Sequence, residues 1–181
     1  MIARFFRRGD DRRATIRQLH ARVNEASRQV GLYARLGVPD TVEGRFECLS
    51  LHVILVLRRL NALPPPAADV AQDLVNSVFL QLDASLRELG VGDFGVPKRM
   101  KKLGAAFYGR AAGYDAALDA DDQAALAAAL ARNVLGREEP GAAAGLAAYV
   151  RAANAGLART DLDAILAAPP FPDPDAFGDA A

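Results

Sequence analysis

Leu49 to Leu57 reads LSLHVILVL, and the helical positions around it are apolar on every side. Phe46, Leu49, Val53, Val56 and Leu60 form one stripe at helical spacing, and Leu51, Ile54, Leu55 and Leu57 fill the rest of the circumference. A helix with no polar face must be surrounded by protein or by lipid. This run is about half the ~20 apolar residues that a bilayer span requires, so the reading is a central helix enclosed by others. Asp40 or Thr41 is placed to cap its start. Its end is expected at Asn61, because Pro64 to Pro66 cannot continue a helix.

The remaining chain must supply the enclosing layer, and its period is helical nearly throughout. A first helix is expected from Asp10 or Asp11, with Ile16, Leu19, Val23 and Val30 on its inner face and arginines on the other. Asp69, with Gln72 at capping-box spacing, predicts the start of a third helix. Val70, Leu74, Val78, Leu82, Leu86 and Leu89 face inward along it, and Gly90 is its stop. Pro97 suits the first turn of a fourth helix, whose apolar face is Val96, Met100, Leu103, Phe107 and Tyr114. Asp119 is read as the start of a fifth helix that Gly136 ends. Ala142 to Leu157 forms a sixth, and Thr160 caps a short seventh. No alternating strand pattern is present. The expected fold is therefore all-α, one bundle of about six to seven helices around a buried apolar second helix. Three segments follow: a basic N-terminal stretch 1–9, a helical domain 10–168, and a Pro/Asp/Ala-rich tail 169–181. The tail is expected to be mobile because it has little to bury.

Charge excludes less by its total, which is zero, than it suggests by its distribution. Residues 1–28 hold eight Arg against three acids, and residues 115–181 hold four basic against eleven acidic residues. Such asymmetry points to polar partners at separate surfaces. The lone Cys48 excludes an internal disulfide and fits a reducing compartment. With two histidines and one cysteine, a standard structural zinc site is not available. No phosphate-cradling loop, nucleophile elbow or zinc-protease pattern occurs. The reading is a soluble protein with no catalytic residues and no cofactor.

Four segments stand out as candidates. VGDFGVPKRMKKLGAAFYGR, Val91 to Arg110, places Lys98, Arg99, Lys101 and Lys102 on the opening turns of a helix, where cations oppose the positive end of the helix dipole. These are either a solvated face or a docking patch for phosphate, RNA, acidic protein or anionic lipid. On the same helix, Gly104, Ala105, Gly109, Ala112 and Gly113 remove side chains where another helix can approach, from within the fold or from a partner. In GRFECLSLH, Arg45, Glu47 and His52 are ionisable groups at the head of the most apolar helix. They form a structural hydrogen-bond network or, for His52, a ligand to haem or metal. Lastly, Arg4, Phe5, Phe6, Arg7 and Arg8 combine cations and aromatics in a way that suits an anionic membrane surface.

The block VPKRMKK…FYGR, together with GRFECLSLHVILVLRRL, resembles the ubiquinol–cytochrome c chaperone family, assembly factors of respiratory complex III. The likeness runs from roughly Tyr33 to Leu166. It implies an all-helical, non-enzymatic protein that binds newly made cytochrome b. Partners implied by the family also include a small partner chaperone and the ribosome. Lacking the long presequence of the mitochondrial members, the chain is expected to be a bacterial relative, cytoplasmic and peripheral at the inner membrane. Carried over by position, the resemblance marks Lys98, Arg99, Lys101, Lys102, Phe107, Tyr108 and Arg110 as client- or partner-binding. Arg45, Phe46, Glu47, His52, Asp93, Pro97 and Gly109 are marked as supporting them. An RNA- or ribosome-binding factor for cytochrome b synthesis and a peripheral membrane adaptor are the alternatives.

Overall fold

In the computed structural model, which describes residues 9–88 and 90–178, α1 (Gly9–Ala26) is followed by the short α2 (Val30–Ala34). Then come α3 (Val42–Asn61), α4 (Ala67–Glu88) and α5 (Gly95–Asp119). α6 (Gln123–Leu130) runs into a π-turn at Ala131–Leu135. A 3₁₀ turn at Pro140–Ala143 leads into α7 (Ala144–Ala158), and α8 (Leu162–Ala167) completes the helices. No strand occurs among the described residues. The basic segment before Gly9, with Arg4, Phe5, Phe6, Arg7 and Arg8, lies outside the described residues, as does Leu89.

α3 is the axis of the bundle. It is touched by α1, α4, α5, α7 and the π-turn, which is why all its faces are apolar. Cys48, Leu51, His52, Val53, Ile54, Leu55, Val56 and Leu60 are all buried. Its ends follow local rules. Thr41 Oγ1 accepts from the Gly44 N–H at 3.0 Å, and the helix stops at Asn61 before the prolines. Gly44 is needed there, since a Cβ would lie 2.0 Å from the Pro39 carbonyl oxygen.

α1 buries Ile16, Leu19 and Val23 as its spacing predicts. Val30 does not continue that face. α1 ends at Ala26, the chain turns, and Val30 is 77% exposed on α2. α4 begins at Ala67, so Asp69 sits within its first turn instead of capping it. Its stop is as expected: Gly90 has φ +79° and the Val91 N–H reaches back to the Leu86 carbonyl at 3.1 Å.

Two caps move by a residue or more. α5 runs on through Asp119, and Asp122 caps α6, its carboxylate accepting from the Ala125 N–H at 2.9 Å. Asp119 and Asp115 instead bind Arg58 of α3 across the bundle. Asp161, not Thr160, caps α8 through the Ala164 N–H at 2.8 Å. Thr160 donates its hydroxyl back to the Leu157 carbonyl at 2.6 Å.

The tail expectation needs correction for residues 169–178. This segment packs against the body: Pro174 is buried, and Phe171 and Phe177 lie half-buried on the core. The Phe171 ring lies on His52, the Phe177 ring on Tyr149 and Pro174 over Gly31, contacts that composition alone conceals. Residues 179–181 lie outside the described residues.

Candidate functional site

α5 carries the candidate surface, and its sequence divides it along its length. Val96 and Phe107 are buried and Met100 and Leu103 half-buried, so this stripe binds the helix to the bundle. Phe107 is 2% exposed and meets Phe79 of α4 edge-on, with ring centroids 5.7 Å apart. A Cβ on Gly104 would stand 3.6 Å from the Phe79 ring, an ordinary contact, so this packing does not require glycine there. Phe107 is thus a core residue. Its assignment to partner binding is corrected, because a client cannot reach it with the helix seated.

Lys98, Arg99, Lys101 and Lys102 all face solvent. Among the described residues none of them has an ion-pair partner. No acidic residue occupies the first turn of α5, and no side chain caps it. Four unpaired cations at the positive end of a 25-residue helix raise the local potential and favour anionic partners. Two exposed aromatics flank them. Tyr108 is 57% exposed, its ring edge-on to Phe107 at 5.4 Å. Phe94 stands fully exposed in the turn before α5. Sequence reading did not nominate Phe94; the signal was an aromatic between Asp93 and Gly95 in a turn with nowhere to bury it. Asp93, by contrast, pairs with Arg87 of α4 at 2.6 Å and so ties that turn to the bundle. Pro97 lies exposed in the first turn of α5.

The small residues do not serve internal packing at every position. A Cβ at Gly109 or Gly113 would meet nothing within 4 Å, and Ala105 and Ala112 are exposed. Beyond the cations, the outer face of α5 is therefore flat and nearly bare.

The three ionisable residues at the head of α3 part company. Arg45 points outward and pairs with Asp40 at 2.6 Å, both more than half exposed; the hydrogen bond holds the Asp40 carboxyl below its usual range. Phe46 is half-buried. Glu47 reaches Arg110 of α5 at 2.6 Å, with only 13% and 20% of the two side chains exposed. Arg110 is thus a tether between helices and not a free docking cation. Desolvation, only partly offset by Arg110, pushes the Glu47 carboxyl up to about 7. Its second oxygen, with the Arg110 Nε and one terminal nitrogen, is buried without a protein partner, a setting that ordered water commonly satisfies. Nearby, burial pushes the Tyr114 phenol up to about 12.

His52 is fully buried and completely bonded. Its Nδ1 lies 2.8 Å from the Cys48 carbonyl and its Nε2 2.7 Å from the Tyr149 hydroxyl of α7. A carbonyl only accepts, so Nδ1 carries the proton, and the Tyr149 hydroxyl donates to Nε2. Burial holds this imidazole down at about 4 and the Cys48 thiol up at about 12. The structural-network reading describes His52; both of its nitrogens are used. His20, the other histidine, bonds Ser77 through Nδ1 at 2.9 Å in a separate place. Among the described residues no group of His, Cys, Asp and Glu converges as a metal site, and no helix is long and apolar enough to cross a membrane.

Known proteins resemble this chain. Residues 34–172, which take in α3, α5 and α7, match the family described as "Ubiquinol-cytochrome C chaperone". Over 106 residues the chain is 27% identical to the "Ubiquinol-cytochrome-c reductase complex assembly factor 1" of Xenopus laevis, covering 59% of this chain and 52% of that protein. The chain thus spans about half the length of the curated relative it matches. Its fold superposes on the crystal structure of the Cbp3 homolog from Brucella abortus with a TM-score of 0.84 and 43% identity, covering 98% of this chain and 99% of that one.

Proposed function

The chain belongs to the ubiquinol-cytochrome C chaperone family, and from that premise we propose that it assists assembly of respiratory complex III by binding newly made cytochrome b. The observation that supports this most is the outer face of α5. Lys98, Arg99, Lys101 and Lys102 are exposed and, among the described residues, unpaired; Tyr108 and Phe94 bracket them, and the bare strip of Ala105, Gly109, Ala112 and Gly113 continues the face. The physical task fits. A multi-span membrane protein exposes apolar surface before it inserts, and a rigid helical body can hold it without chemistry. This reading assigns no catalytic residue and no cofactor, and it places the protein in the cytoplasm, peripheral to the inner membrane.

Deleting the gene and measuring assembled complex III tests the role; unchanged levels refute it. A photo-crosslinker at position 108 tests the contact, with a crosslink to cytochrome b expected. The four unpaired cations also suit nucleic acid. An RNA- or ribosome-binding factor would instead show co-sedimentation with ribosomes that weakens steeply with salt and disappears when the four cations become Glu. A membrane adaptor would bind anionic vesicles and lose that binding when Met1 to Arg8 is removed. The need for a small partner chaperone is tested by whether the chain alone crosslinks to cytochrome b.

A further inference from the structure

Beyond α8 the chain crosses the bundle as an irregular segment, Ala168 to Gly178, reading APPFPDPDAFG. Its seat is built from both sides. The Phe171 ring lies 4.8 Å from the His52 ring, and Phe177 meets Tyr149 edge-on at 5.8 Å and 86°. At three points the segment passes close over a glycine. A Cβ on Gly31 of α2 would stand 2.3 Å from Asp175 Oδ1 and 2.9 Å from the Pro174 ring. On α7, a Cβ on Gly145 would stand 2.6 Å from the Phe177 carbonyl oxygen, and one on Gly156 3.1 Å from that of Pro170.

The attachment is unusual in what it omits. Among the described residues, the hydrogen bonds made by residues 169–178 stay within the segment: Phe171 N–H to Pro169 O, Asp175 N–H to the Asp173 carboxylate, Ala176 N–H to Asp173 O and Phe177 N–H to Pro174 O. A half-exposed ion pair, Asp175–Arg35 at 3.4 Å, is the polar link to the body. If the segment left, it would carry its own hydrogen bonds with it and strand no buried donor. An incoming segment would need none to replace it. It would need flat side chains to cover His52 and Tyr149 and an irregular backbone whose carbonyls can approach Gly145 and Gly156 as those of Phe177 and Pro170 do.

We infer that residues 169–178 are a displaceable strap, and that the groove beneath them docks an irregular, aromatic-bearing segment of the client polypeptide. This rests on the chaperone reading above. The strap itself defines the occupant's chemistry: two aromatic side chains six positions apart, with an acidic residue near Arg35. The rest of the described surface supports the choice. Its exposed large apolar side chains, Val30, Val42, Leu80, Phe94 and Tyr108, are spread over α2, α3, α4, α5 and the turn before α5. The strap, by contrast, covers two aromatic rings, His52 and Tyr149, with two of its own.

The test uses the full chain in a locked and a loosened form. Arg35→Cys/Gly178→Cys locks the strap. Those positions have Cβ atoms 2.7 Å apart, and an outward shift of about 1 Å at the chain end reaches disulfide range. Phe171→Ala/Phe177→Ala loosens it. Gly145→Ala, which pushes on the Phe177 carbonyl without emptying the seat, serves if the double alanine variant does not fold. The probe is a fluorescent peptide of sequence APPFPDPDAFG. The loosened chain should bind it at least tenfold more tightly than the oxidised locked chain, and reductant should restore to the locked chain the binding shown by Arg35→Cys alone, which lacks the same ion pair. Peptides from cytochrome b should compete. Equal binding by locked and loosened forms, or none by either, overturns the groove. Peptide binding without competition by any cytochrome b segment overturns the client assignment, and the deletion test above still stands on its own. A dimer that forms with rising concentration and is abolished by the lock would show that the occupant is the strap of a second copy, which also overturns it.

Discussion

Tyr149→Phe removes one oxygen atom from the centre of the bundle, and its cost follows from the geometry around His52. At neutral pH the imidazole is uncharged, because burial holds it down at about 4. Its Nδ1 proton is committed to the Cys48 carbonyl, so the Nε2 lone pair depends on the Tyr149 hydroxyl at 2.7 Å. Phenylalanine keeps the ring and its contact with Phe177 but leaves that lone pair buried and unsatisfied, which costs about 1–3 kcal/mol. For a domain of this size each kcal/mol lowers Tm by about 2–4 °C, so a fall of roughly 2–12 °C is expected. Urea unfolding followed by circular dichroism gives the free energy directly. The control is the double variant His52→Leu/Tyr149→Phe, which removes both polar partners. Its loss should be clearly smaller than the sum of the two single losses, because each single change leaves one unpaired group and the double leaves none. A single-variant cost below about 0.5 kcal/mol, or strict additivity in the double, would refute the reasoning.

The Glu47 carboxyl, raised from 4.5 to about 7 in the folded state, should contribute stability that is full below pH 4.5 and lost as pH rises through 7. The span amounts to about 3 kcal/mol at most, and Glu47→Gln should remove that slope in unfolding experiments from pH 4.5 to 7.5. His52 runs the other way: its contribution is full above pH 6.5 and lost as pH falls toward 4, so wild type minus variant is the informative curve. Changing Lys98, Arg99, Lys101 and Lys102 together to Glu should leave the fold intact or stabilise it by about 1–2 kcal/mol, since acids suit a helix N-terminus. The same change should sharply reduce the Tyr108 crosslink to cytochrome b, so a docking loss separates from a folding loss. Phe107→Ala should instead cost about 3–5 kcal/mol of stability, read by thermal melting, with Tyr108→Ala costing little.

Local rules decided where most helices begin and end. Thr41, Gly90 and Gly136 act through atoms within a few residues, and Pro64 to Pro66 forbid continuation on their own, so these boundaries were legible without any tertiary information. The enclosed α3 was legible for the same kind of reason, because a helix with no polar face has to be surrounded. The cations of α5 were visible as a run, and family likeness drew attention to them. Where two adjacent carboxylates or hydroxyls competed for a cap, as with Asp119 and Asp122 or Thr160 and Asp161, spacing alone chose wrongly. Arg58 on α3 had already engaged Asp119.

Everything that joins distant segments was settled by how the helices lie on one another. Adjacent Phe107 and Tyr108 have similar side chains; Phe79 on α4 buries the first and leaves the second in water. Arg110 read as one more free cation, until Glu47 came within 2.6 Å of it from α3. His52 and Tyr149 are 97 residues apart and share one hydrogen bond. Residues 169–178 carry too little apolar surface to order themselves, and they hold a place because α3 and α7 provide a floor for both phenylalanines. A sequence states the propensities of each segment, since backbone and capping energies act over one or two turns. The partners of a buried charge, ring or strap depend on the packing of surfaces that only the folded chain brings together.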